Sequence, residues 1–210
     1  MGWKKPCIAW YPEIDEEDKI MKKSLASIIV AVLVLASTAS PAAFKEPPPA
    51  GGTLPAVQLP KPTDSGELKY LGLTGSGTFS ADQVKAQALI IQIFSMYCPY
   101  CQKDAPNINR LYGMMEANPT LKGKIKIIGI GAGNTAFEVA TFKKKYKVEF
   151  PLIPDGDFKI YKVIGEVRTP YFIVVKLNGP RPLEVVYSRL GGHEDVDAFL
   201  AEIVKVADIK

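Results

Sequence analysis

Residues 88–103 read "ALIIQIFSMYCPYCQK", an apolar, isoleucine-rich run that leads into two cysteines two residues apart. The run at 88–95 suits a strand buried on both faces. Proline is favoured at the first position of a helix, where its missing N–H costs nothing, so Pro99 predicts a helix over about 98–117 with Cys98 at or beside its cap. Pro106 falls inside that helix and is expected to kink it. The free amides and dipole of a helix start favour an anion. A thiolate at Cys98 is therefore expected to have a lowered pKa, and the thiolate is the attacking species. Cys101, three residues on, shares that helix face and lies deeper.

A cysteine pair of this kind can hold a metal, staple a fold or shuttle electrons. Structural zinc wants about four ligands. Downstream of residue 39 the chain offers Cys98, Cys101 and His193, so no metal is expected. A bridge that closes so small a loop restricts the unfolded chain little. The redox reading remains: Cys98 attacks a disulfide in a partner, and Cys101 resolves the mixed disulfide. That chemistry needs no cofactor beyond the redox-active disulfide Cys98–Cys101.

Working outward, residues 80–86 predict a helical turn capped by Ser80, and 68–75 a short strand. "KIKIIGIGA" at 124–132 predicts a second buried strand. Thr135 and Glu138 have capping-box spacing and open a helix through about Tyr146. Residues 151–158 predict a loop, followed by a short helix near 158–163. Strands are expected at 171–177 and 183–190, joined by a turn at Asn178-Gly179-Pro180, and an amphipathic helix at 193–207. His193 reads as a residue of that helix's capping region. The order is β-α-β-α-β-β-α. The fold class is α/β, with a central mixed sheet flanked by helices.

The formal charge is +4, and the dense basic run Lys143–Lys145 with Lys147 reads as a solvated helix face. No nucleic-acid-reading motif accompanies it. "GIGAGN" at 129–134 has Asn134 where a dinucleotide fingerprint needs its third glycine, and it stands too late in the domain. With no nucleophile signature near His193, a serine-type triad is unsupported.

Residues 25–39 are uncharged and mostly apolar, follow Lys22-Lys23, and end in small residues. They are shorter than the roughly 20 residues of a bilayer span and read as a secretory signal cleaved after Ala39 or Ala43, or as an uncleaved anchor. Acidic residues 13–18 precede that signal, so residues 1–20 read as a non-native extension upstream of a start at Met21, and Cys7 goes with them. Residues 40–65 are rich in proline and glycine and read as a stiff linker. The compact domain is expected to cover 66–210.

The strand ending on "CPYC" and the later "RTPYFIVV" together resemble the thioredoxin superfamily. The span from Cys101 to Pro170, the signal, and "FPLIPDGD" resemble its extracytoplasmic TlpA/ResA-like branch. The resemblance implies a thioredoxin fold over about 66–208. It implies a cis bond at Thr169-Pro170, with Thr169 offering backbone groups to an extended partner peptide. Pro99, Tyr100 and Tyr97 are expected to shape the site. Three departures bear on chemistry. Tyr97 replaces the family's usual tryptophan, and Gln92 stands where thioredoxin has a buried acid. Tyr100 cannot supply the cationic charge of a DsbA-type histidine. Asp104, one turn after Cys101, matches a helix carboxylate implicated in proton handling in ResA-like proteins.

The function implied is an extracytoplasmic or periplasmic thiol–disulfide oxidoreductase, chiefly a reductant, for example in cytochrome c maturation. The alternatives are a DsbA-like oxidant or isomerase, and a non-catalytic binding or copper-chaperone protein. The implied partners are proteins with thiols or disulfides and a membrane electron-transfer protein.

Overall fold

The computed structural model describes residues 46–210. The expectations for residues 1–45, including the start at Met21, the signal or anchor at 21–39 and its cleavage sites, lie outside the described residues. The elements are β1 (Leu59–Pro60), α1 (Ser65–Leu71), β2 (Thr78–Phe79), β3 (Ala88–Phe94), α2 (Pro99–Ala117), β4 (Ile125–Ala132) and α3 (Ala136–Tyr146), then β5 (Leu152–Asp155), α4 (Lys159–Ile164), β6 (Tyr171–Lys176), β7 (Val185–Leu190) and α5 (Val196–Val206).

Five strands form one mixed sheet in the order β5-β4-β3-β6-β7. β3 lies at its centre, parallel to β4 and antiparallel to β6. Alternation along β3 divides the core. Ala88, Ile90 and Phe94 pack with Ile108 and Leu111 of α2, Val139 and Phe142 of α3, and Phe199 and Ile203 of α5. Leu89, Ile91 and Ile93 face the other way, onto Ile160 and Ile164 of α4 and onto Leu54, Val57, Leu59 and Leu71. Each strand of this central group is therefore covered on both sides, which is why its sequence is almost wholly apolar. Ser80 precedes a single 3-10 turn at Ala81–Gln83, as expected, and the Gln83 side chain accepts from its N–H at 2.9 Å.

Three expectations are corrected. Residues 68–75 are not a strand. Asp64 caps α1 by accepting from the Glu67 N–H at 2.9 Å, and Gly72 ends it at φ 71°. Left-handed backbone of that kind suits a glycine C-cap. Residues 151–158 are not all loop, since β5 pairs in parallel with β4. Pro154 is tolerated because β5 is an edge strand, where one face of the backbone needs no ladder donor. Finally, the domain does not begin at Gly66. Leu54, Val57 and Leu59 are buried, and β1 pairs with β2. Gly51 N–H donates to the Val185 carbonyl at 2.8 Å and Leu54 N–H to Leu183 at 3.0 Å, so this stretch pairs along the edge of β7. Pro47 then packs on Gly165, where a Cβ would lie 2.6 Å from it. Prolines spaced along an edge leave enough amides free to pair, and the described part of the stretch read as a linker, 46–65, is part of the packed unit.

Candidate active site

β3 carries its chain to the carboxyl end of the sheet and hands it to α2 through Ser95–Cys98. Cys98 is the N-cap of α2, with φ −81° and ψ 114°, and Pro99 follows at the first helical position. The Cys101 N–H donates to Cys98 Sγ at 3.4 Å, and the Cys98 thiol reaches the Thr169 carbonyl at 3.2 Å. Thr169-Pro170 is a cis bond. The loop before β6 thus lies directly against the cysteines, bringing together residues 71 positions apart in the chain.

The two thiols differ. Cys98 is half-buried. Burial is the largest influence on it and pushes its pKa up. Hydrogen bonding from the Thr169 side chain and Cys101, with the amides of Cys101 and Tyr100, outweighs burial and holds the thiol below its ordinary range. Cys101 is 1% exposed and packs in the core with Phe94, Ala105 and Phe172. Burial pushes its thiol up to about 12. Both cysteines are free thiols.

Asp104 is buried on the next turn of α2. Its Oδ1 accepts from Asn107 Nδ2 at 3.2 Å and from the His193 N–H at 3.1 Å, while Oδ2 has no partner. Burial raises its pKa, against those two hydrogen bonds. Gly192 is close enough that a Cβ there would sit 2.6 Å from the Asp104 carboxyl carbon. His193 stands in the capping region, as expected, two residues before Asp195, which caps α5 by accepting from the Ala198 N–H. The His193 ring stacks on Phe199 with centroids 3.4 Å apart, and burial lowers its pKa to about 4. Gln92 is buried in mid-strand and offers no titrating group.

Tyr97 and Tyr100 flank Cys98 with exposed rings. The Tyr97 hydroxyl donates to Glu138, whose other oxygen accepts from the Thr135 N–H at 2.7 Å, completing the expected capping box. Asn134, noted in the sequence only for breaking a glycine pattern, is a site residue that sequence reasoning missed. It is fully buried, and its Oδ1 accepts from the Met96 N–H at 2.8 Å, tying the turn after β4 to the loop before the cysteines. Gln102 Nε2 donates to the Met96 carbonyl at 2.7 Å from the other side. Gly131 lies inside β4, where a Cβ would meet Val139 of α3 at 2.8 Å. It serves close helix packing rather than a turn or a nucleotide cradle.

A βαβ half and a ββα half joined in one sheet, with a vicinal thiol pair at a helix start and a cis proline facing it, define the thioredoxin fold. The chain belongs to the AhpC/TSA family, whose model matches residues 51–181. Among curated relatives, the thiol-disulfide oxidoreductase ResA of Halalkalibacterium halodurans is 23% identical over 125 residues, 59% of this chain and 65% of the relative. ResA of Geobacillus thermodenitrificans is 19% identical over 95 residues, 45% of this chain and 52% of the relative. The matches therefore span less than two thirds of these relatives' lengths. The solved thiol:disulfide interchange protein of a Bacteroides species superposes with a TM-score of 0.54 at 16% identity, covering 77% of this chain and 91% of that one. A thiol:disulfide interchange protein of Chlorobium tepidum superposes at 0.51 and 17% identity, covering 79% and 99%.

Proposed function

We propose that the chain is a thiol–disulfide oxidoreductase that exchanges electrons with protein disulfides through Cys98 and Cys101. The observation that carries this is the inequality of the two thiols: Cys98 is reachable with a depressed pKa, and Cys101 is buried beside it with a raised one. An attacking and a resolving thiol need those properties. Run as a reductant, the Cys98 thiolate attacks one sulfur of a client disulfide. The client S–S bond breaks, and the second sulfur leaves as a thiolate and takes a proton. Cys101 gives up its proton and attacks Cys98 Sγ, and the client's remaining sulfur leaves and is protonated in turn. The client gains two electrons and two protons, and the pair becomes a disulfide.

Within this reading Thr169 and Pro170 bind the client backbone, Pro99, Tyr97 and Tyr100 shape the site, and Asp104 takes the Cys101 proton. Support for the role of Asp104 is its partnerless Oδ2 and its raised pKa, one turn from Cys101. A base whose pKa approaches the working pH is the more effective proton carrier. We infer the reducing direction and an extracytoplasmic location. Tyr100 adds no cation to hold the Cys98 thiolate, and the apolar segment 25–39 reads as an export signal or anchor. Among the described residues no helix is long and apolar enough to cross a membrane. A reductant working there needs recharging by a membrane electron donor.

The test is a Cys101→Ser chain expressed in cells. It is expected to accumulate protein partners as mixed disulfides on Cys98 that reducing agent releases; their absence would reject the exchange reading in favour of a binder. The reduction potential of the pair then fixes the direction. A value near or below about −250 mV supports the reductant, and about −120 to −180 mV would reverse it to an oxidant or isomerase.

A further inference from the structure

Five large hydrophobic side chains stand exposed among the described residues: Tyr97, Tyr100, Phe137, Phe158 and Leu190. All five belong to the end of the sheet that carries the cysteines. Tyr97 and Tyr100 bracket Cys98, and Phe137 lies in the first turn of α3, next to the Glu138 that holds Tyr97. Leu190 pairs with Tyr171, the residue after Pro170. Among the described residues no other large hydrophobic side chain is exposed. Exposed apolar side chains gathered on one edge mark a contact surface rather than a chance scatter.

Within this collar a groove of about 460 Å³ opens beside Cys98, its walls including Tyr97, Gly133, Phe158, Tyr161, Arg168 and Thr169. Its aromatic floor is fixed by the backbone. Phe158 sits at φ 59°, and its ring meets that of Tyr161 edge-on with centroids 5.6 Å apart. Gly133, at φ 67°, makes room for that ring: a Cβ there would come within 2.3 Å of it. A non-glycine residue held at positive φ is uncommon, and here it aims an aromatic ring at the wall of the groove. Arg168 is exposed at the same groove and makes no ion pair among the described residues. No carboxylate is among the described residues that line the groove.

We propose that this groove reads the residues flanking a client's cysteine, selecting an aromatic or large apolar side chain over Phe158 and Tyr161 and a carboxylate paired with Arg168. The inference deepens the thiol–disulfide reading and rests on it. Thr169 borders both the groove and Cys98, so a segment with its sulfur at Cys98 has its neighbouring side chain in the groove. An aromatic side chain gains by leaving water for an apolar wall. A carboxylate gains from the guanidinium, whose planar fork matches it. A basic flanking residue would meet Arg168 as a like charge.

The test uses the full reduced chain and short peptides whose single cysteine is disulfide-bonded to 2-mercaptoethanol. One peptide flanks the cysteine with phenylalanine and aspartate, a second replaces aspartate by lysine, and a third replaces phenylalanine by alanine. In each reaction the Cys98–Cys101 dithiol is oxidised to a disulfide, and the peptide disulfide is reduced to two thiols. The first peptide is expected to react about tenfold faster than the second, a difference of about 1.4 kcal/mol, and several-fold faster than the third. The first ratio shrinks with added salt, as screening requires. Arg168→Glu inverts the aspartate-to-lysine ratio, and Phe158→Ala brings the phenylalanine-to-alanine ratio to about one. Ratios near one in the parent chain, or unmoved in these variants, overturn the proposal. Bis(2-hydroxyethyl) disulfide, which has no flanking residues, separates the two failures. If it is reduced while the peptides are not distinguished, only the selectivity is wrong; if it is not reduced, the exchange reading falls and the selectivity with it.

Discussion

The main-chain N–H of His193 donates to Asp104 Oδ1 across 3.1 Å and so fastens the loop before α5 to the helix that begins at the cysteines. The other oxygen of that carboxylate is buried without a partner. Burial, the largest influence, raises the Asp104 pKa, so the native state holds this proton more tightly than the unfolded chain does. Stability is then greatest below the ordinary carboxylate value and falls as pH rises through the interval up to the raised one. Asp104→Asn keeps an acceptor for His193 and removes the charge. The variant is expected to lose this slope and to unfold at a higher midpoint than the parent at neutral pH. Urea titrations at several pH values check this. If Asp104 also carries the Cys101 proton, the variant resolves mixed disulfides about 100-fold more slowly, with a flattened pH profile.

Alkylation separates the two thiols. Cys98 is expected to react with iodoacetamide first, with a pH midpoint below that of an ordinary thiol, because its hydrogen bonds outweigh its burial. Cys101, pushed up to about 12 and 1% exposed, stays unmodified across the neutral range. Mass spectrometry of the singly modified chain reports which sulfur was taken. Equal labelling of both would remove the distinction between attacking and resolving thiol.

Asn134→Ala leaves the Met96 N–H without its acceptor in a partly buried loop. A buried donor stripped of its partner costs about 1–3 kcal/mol. The expected outcome is a denaturant midpoint lowered to match, with the slope of the transition unchanged. A loss below about 0.5 kcal/mol would show that the loop finds another acceptor.

A chain starting at Gly66 removes Leu54, Val57 and Leu59 from the second face of the sheet. Each fully buried side chain of this kind contributes about 1.5–3 kcal/mol. The shortened chain is expected to bind a hydrophobic dye and to unfold at lower denaturant than the chain that retains residues 46–65. Equal midpoints would show that the stretch is dispensable.

The central fold was legible because β3 and β4 are covered on both faces, so their residues are apolar but for Gln92 and Lys126. The helix start at the cysteines was legible because Pro99 fits only certain backbone positions. Thr135 and Glu138 announced α3 through a local hydrogen-bond pattern. The rest depended on neighbours far along the chain. β5 was hidden by Pro151 and Pro154, which an edge strand tolerates and a central one does not. α1 was hidden because its signals, Asp64 and Gly72, bracket a stretch whose own alternation suggests a strand. Residues 51–54 pair with an edge whose existence only the assembled sheet creates. Asn134 left no signal of its own, since an asparagine after a strand usually marks a turn and nothing more.

Thr53 bridges to Glu184, so the first part of the packed unit pairs with the residue that leads into the last strand, β7. Bringing such distant segments together costs loop-closure entropy that no local contact offsets. A chain emerging from the ribosome cannot cover the Leu54 face of its sheet until β6 and β7 have also been made.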